Sequence, residues 1–130
     1  MPFYGDKTIE AIWQSAKPVE GYNPNIWRKD FAGAWIRRDF YGLCNKYGWK
    51  IDHKKPKSAG GSDSKENLWA LHWQNNMSKG NEYPQFKTSI TSDGNRNVEK
   101  EQIWTWKPQS QLHPKSAIKP TRKYSGMTES

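Results

Sequence analysis

A single cysteine, Cys44, is all that the 130-residue chain holds. That excludes an intrachain disulfide and any zinc ribbon built from cysteine pairs. A lone thiol of this kind is expected as a small buried hydrophobe. There is also no apolar run long enough to span a bilayer and no charged-then-apolar leader at the start. The protein is therefore expected inside a cell, in the cytoplasm, with no membrane as partner. Acids are scarce as well: 13 Asp and Glu stand against 21 Lys and Arg, a formal charge of +8. Such an excess attracts polyanions and says nothing about fold. Only 33% of the residues are hydrophobic, a composition that borders on disorder. Eight Trp, six Tyr and four Phe offset this, because each aromatic side chain buries a large area. The expectation is one domain with a modest aromatic core and frayed ends.

Along the chain, Asp6 reads as an N-cap, and Ile9, Ile12, Trp13 and Ala16 follow at helical spacing. A helix over about 7–17 is predicted, ended by Pro18. Residues 27–41, "WRKDFAGAWIRRDFY", interleave rings with Arg28, Lys29, Arg37 and Arg38. That pattern suits a surface that meets phosphates with its cations and bases with its rings, and equally a half-buried strand with a charged outer face. A strand is expected near 33–38. "YGWKIDH" (47–53) and "NLWALH" (67–72) read as two more strands. Pro56 and the Gly60-Gly61 pair make 54–66 a loop, which also holds Lys54, Lys55 and Lys57 as candidate phosphate contacts. Trp73 to Lys79 fits a two-turn helix stopped by Gly80. Beyond Pro84 the signals thin to a turn at Asp93-Gly94 and a strand at "QIWTW" (102–106). The expected division is a domain over 1–108 and a basic, largely irregular tail over 109–130.

The strand, loop, strand, helix segment concentrates chemistry. On a helix Asn76 and Lys79 share a face. Packed against the strand pair, that face brings an amide and an ammonium towards Asp52 and His53. Adjacent strand residues point to opposite sides, so Asp52 and His53 can share a site only where regular geometry ends. A carboxylate and an amide oxygen are hard ligands that suit Mg²⁺ or Mn²⁺. An imidazole can take a proton from water at neutral pH, and a lysine can pair with phosphate charge. Together these are the parts of a phosphodiester hydrolase. Taken singly, each has a bland reading: a lone His is usually hydrogen-bonded structure, and a lone Asn is usually a cap.

Residues 47–80 resemble the core of HNH nucleases through Asp52-His53, Pro56, Gly60-Gly61, Asn67-Leu68, Asn76 and Lys79. The resemblance implies an α+β protein with a ββα-metal core, an N-terminal helix and an irregular C-terminal extension. It implies His53 as general base and Asp52 and Asn76 as ligands of one divalent ion. Asn67 would brace the loop and orient His53, and Lys79 would face the phosphate. Asn76 stands where many members have His, which makes this an H-N-N variant. The paired CxxC motifs of zinc-bearing members are absent, so no structural zinc is expected. His72 would reach the metal if the helix began earlier, and otherwise ends a strand. His113 is expected in solvent. The implied function is an endonuclease hydrolysing DNA, duplex by preference, by nicking or double-strand cleavage. The rivals are a basic module that binds nucleic acid without cutting, and an RNA-directed nuclease or toxin.

Overall fold

Three antiparallel strand pairs and two helices make up this small α+β chain in the computed structural model, which describes residues 3–106. The expected tail, with His113, lies outside the described residues. The first helix, α1 (Asp6–Ser15), starts one residue earlier than its apolar spacing suggested. Gly5 is its N-cap, not Asp6, which sits in the first turn where the helix dipole favours a carboxylate. The helix stops at Ser15, because Ala16 turns extended and Lys17 bridges to Lys29.

Strands β1 (Trp27–Lys29) and β2 (Trp35–Arg37) form one pair, so the expected single strand is a short hairpin. Strands β3 (Trp49–His53) and β4 (Leu68–His72) form the second, in register from Trp49 opposite His72 to His53 opposite Leu68. Helix α2 (Trp73–Lys79) follows β4 directly and ends at Gly80. The third pair, β5 (Gln85–Asp93) and β6 (Arg96–Thr105), is a long hairpin turning at Gly94, whose φ of +67° favours glycine.

Strand β4 is buried along its whole length because it serves two cores. Alternation sends Leu68 and Ala70 to one side, with Ile12, Trp13, Ile36, Trp49 and Ile51. Trp69 and Leu71 go to the other, with Ala32, Phe86 and Trp104. The second core exists only because the β5–β6 hairpin closes over it. Cys44 departs from expectation: it is exposed, in the segment before β3, and belongs to neither core.

Two polar side chains fasten these layers. Asp30, buried after β1, accepts from the Ala32 and Ala34 amides through Oδ1 (3.0 and 2.8 Å). Its Oδ2 accepts from the His72 amide (2.9 Å) and from Asn75 Nδ2 (3.0 Å). Asn75 also donates to Ile90 O (2.9 Å) and accepts from the Ser89 and Ile90 amides (2.9 and 2.8 Å), beside the register shift in β5. Every hydrogen-bonding position of that buried carboxamide is filled, as burial demands.

Candidate active site

A cleft of about 490 Å³ opens between β3, the loop after it and the end of α2. Asp52, His53 and Asn76 line it, together with Lys50, Lys57 and two tyrosines, Tyr4 and Tyr41. Strand alternation puts Lys50 on the same side as Asp52, and His53 joins them because β3 ends there. Asp52, His53 and Asn76 therefore face one cleft.

The two oxygens of Asp52 have different surroundings. Oδ2 accepts from Trp69 Nε1 (2.9 Å) and from Lys79 Nζ (3.0 Å). Oδ1 accepts from Asn76 Nδ2 (3.1 Å), on the cleft side. Burial pushes the Asp52 carboxyl up from the ordinary carboxylate range, while the Lys79 ammonium and the Trp69 N–H pull it back. Lys79 is fully buried and also donates to His53 O (2.9 Å), with its ammonium 5.3 Å from the Phe86 ring centroid. It does not line the cleft. The expectation that Lys79 faces phosphate is thus corrected: its ammonium is the counter-charge of Asp52, drawn inward because the hairpin seals that side.

His53 presents Nε2 to Asp63 Oδ1 at 2.8 Å, and Lys57 Nζ holds Asp63 Oδ2 at 3.0 Å. Asp63 was not singled out from the sequence. It lies in a Ser- and Gly-rich stretch that reads as ordinary turn chemistry, and only its place beside a histidine-bearing strand end could have marked it. Asn67 makes no hydrogen bond to the His53 ring among the described residues. Its side chain ties the loop instead, accepting from Lys55 N (2.9 Å) and donating to Lys55 O (3.0 Å) and Ser62 O (2.8 Å). Gly61 packs so closely beneath that a Cβ there would lie 1.7 Å from Lys55 O and 2.9 Å from Asn67 Nδ2.

His72 ends β4 and stays away from the cleft. Its Nδ1 caps α2 by accepting from Gln74 N (3.1 Å), and Nε2 bonds to Lys46 O (2.8 Å). The proposed phosphate contacts divide. Arg28 is buried, and its guanidinium donates to Pro24 O, Gln14 O and Ala16 O, so it holds α1 to β1 and is not a phosphate contact. Arg38 pairs with Glu10 and Arg37 with Asp39. Lys29 lies over the Trp35 ring, Lys54 over Trp69 and Trp106, and Lys55 over Tyr83. Of the seven cations expected to meet phosphate, Lys57 alone lines the cleft.

Residues 41–82 match the family model described as HNH endonuclease. The likeness to that family is confined to this segment. The HNH segment contains Asp52, His53, Asp63, Asn67, Asn76 and Lys79, whereas Tyr4, Asp30 and the β5–β6 hairpin fall outside it. No match to the chain was found among curated proteins or among solved structures. No helix among the described residues is long and apolar enough to cross a membrane.

Among the described residues no three of His, Cys, Asp and Glu cluster as a metal site. The donors at the cleft are Asp52 Oδ1 and the Asn76 amide, whose own oxygen accepts no hydrogen bond among the described residues. Two hard oxygen donors fit a Mg²⁺-like ion that keeps several waters.

Proposed function

We propose that the protein is a metal-dependent endonuclease that hydrolyses DNA phosphodiester bonds. The observation that carries this reading is the convergence of Asp52, His53 and Asn76 on one cleft within the HNH segment. Asp52 and Asn76 would hold Mg²⁺ or Mn²⁺ through Oδ1 and the amide oxygen, which a half-turn of the Asn76 amide brings forward. When bound, the ion supplies Lewis-acid stabilisation of charge on the phosphate and on the leaving oxygen.

The chain's own residues do the rest. His53 accepts a proton from water, and the water oxygen forms a bond to phosphorus. The bond to the leaving sugar oxygen breaks, and that oxygen keeps the electron pair and then takes a proton. The Lys79 ammonium offsets part of the burial that pushes the Asp52 carboxyl up, which favours the anion as a ligand. Lys50 and Lys57 at the cleft supply positive charge where phosphate enters.

The test is plasmid nicking with Mg²⁺ or Mn²⁺ and then with excess chelator, run beside calorimetric metal titration. His53→Ala is expected to lower cleavage by about 10²–10⁴-fold or more, the usual share of general-base catalysis, with metal binding intact. Asp52→Ala and Asn76→Ala are expected to weaken metal binding, with partial rescue by added Mn²⁺. Wild-type cutting by all three variants would overturn the reading. Binding of DNA with no cleavage under any metal would establish the binding module instead.

A further inference from the structure

We propose that Asp63 is a positioning residue for His53, fixing the proton on Nε2 so that Nδ1 is the atom that receives the proton from water; this rests on the nuclease reading above. A carboxylate can only accept a hydrogen bond. With Asp63 Oδ1 2.8 Å from His53 Nε2, that nitrogen is the donor and Nδ1 keeps its lone pair. Nδ1 has no hydrogen-bond partner among the described residues, and the imidazole lines the cleft. The hydrogen bond from His53, and after it the one from Lys57, hold the Asp63 carboxyl below the ordinary carboxylate range. It is therefore an anion at neutral pH. When the ring takes a proton it becomes a cation with that anion already alongside.

The loop is built to deliver this carboxylate. Asn67 Nδ2 pins Ser62 O, the carbonyl immediately before Asp63, and the same carboxamide pins both backbone groups of Lys55, two residues past His53. One side chain thereby fixes the distance between the strand end carrying the base and the turn carrying its partner. Asn67 thus orients His53 through Asp63, with no hydrogen bond of its own to the ring among the described residues. Lys57 adds little energy, since both partners of that pair are more than half exposed. Its effect is to occupy Oδ2 and leave Oδ1 to the ring.

The experiment compares wild type, Asp63→Asn and Asp63→Glu in plasmid nicking with Mn²⁺, in DNA affinity, in thermal unfolding, and in the ¹⁵N spectrum of the His53 imidazole without DNA. Asparagine can preserve a tie to the loop, but its amide can also donate and so favour the other tautomer. The expected spectrum is a single Nε2–H tautomer in wild type and a mixture or reversal in Asp63→Asn. The expected kinetics are a fall in kcat of about 10-fold or more in Asp63→Asn, part of what general-base catalysis supplies. DNA affinity and unfolding midpoint should stay unchanged, because the Asp63 side chain is 62% exposed. Glutamate should restore part of the rate. A wild-type kcat in Asp63→Asn, or an Nδ1–H tautomer in wild type, overturns the proposal. If wild type cuts no plasmid, the nuclease reading falls by itself. The spectrum then decides Asp63: a tautomer that changes on Asp63→Asn upholds its hold on the ring, and an unchanged one refutes it.

Discussion

Lys79 illustrates how one buried charge sets the terms for its neighbour. With no exposure, its ammonium has Asp52 Oδ2 at 3.0 Å and His53 O at 2.9 Å. Removing one member of a buried pair leaves the other uncompensated, a loss of about 3–5 kcal/mol. Lys79→Met should therefore shift the urea midpoint strongly downward and take cleavage with it. The double variant Lys79→Met/Asp52→Asn should recover most of the stability but none of the activity, since the proposed carboxylate ligand is gone. A Lys79→Met protein as stable as wild type would show that the pair contributes nothing to the fold. From the sequence, Lys79 was legible as sharing a helical face with Asn76. Its inward turn was not, because that depends on the Phe86 ring and a hairpin far along the chain. Arg28 was misread for a related reason. A cation among tryptophans looks the same whether its guanidinium reaches solvent or folds back onto carbonyls, as it does here.

The elements around the cleft were legible where the hydrophobic period was clean. β3, β4 and α2 fall within a residue or two of their expected bounds, because Trp49 and Ile51 alternate with polar residues in β3 and Leu68 to Leu71 form an unbroken apolar run in β4. β5 was missed because Thr88 and Thr91 take buried positions that a pattern reading assigns to apolar residues. Thr88 is accommodated there by a hydrogen bond from Trp104 Nε1 (2.9 Å). The junction between β4 and α2 carries a pH dependence of its own. Burial holds the His72 imidazole below its ordinary value of 6.5, and its Nδ1 must be unprotonated to cap Gln74 N. A depressed folded pKa means a contribution complete above pH 6.5 and lost as pH falls through the lower folded value. Asp30, whose carboxyl burial pushes up, acts in the opposite sense at its own titration, so the histidine must be isolated. His72→Asn keeps a capping oxygen that does not titrate. The gap in unfolding midpoint between wild type and His72→Asn should narrow from pH 8 to pH 5. A constant gap would mean that His72 does not titrate with unfolding.

The charge of the whole molecule is +8, yet several of its cations are already engaged within the protein. Arg28 is internal and Arg37 and Arg38 are paired, whereas Lys50 and Lys57 line the cleft. On the nuclease reading, the affinity for duplex DNA should fall by about 0.9 log units per phosphate contact for each tenfold rise in salt. Lys50→Gln should reduce that slope by about one contact, whereas Arg28→Gln should lower thermal stability and leave the slope in place. Filter binding across a salt series checks this. An unaltered slope in Lys50→Gln would place the nucleic acid elsewhere.

Asn75 has one more consequence at this scale. It stands next to Asn76 on a seven-residue helix, and its four hydrogen bonds run to Asp30 and to β5, both outside residues 41–82. Trp69 and Leu71 likewise find Phe86 and Trp104 only beyond that segment. Cut out, the segment would lose all four of those bonds and leave a strand with one side bare. The stretch that carries the family's signature is therefore not a portable cassette. Transplanting it into another protein means transplanting the aspartate before it and the hairpin after it as well.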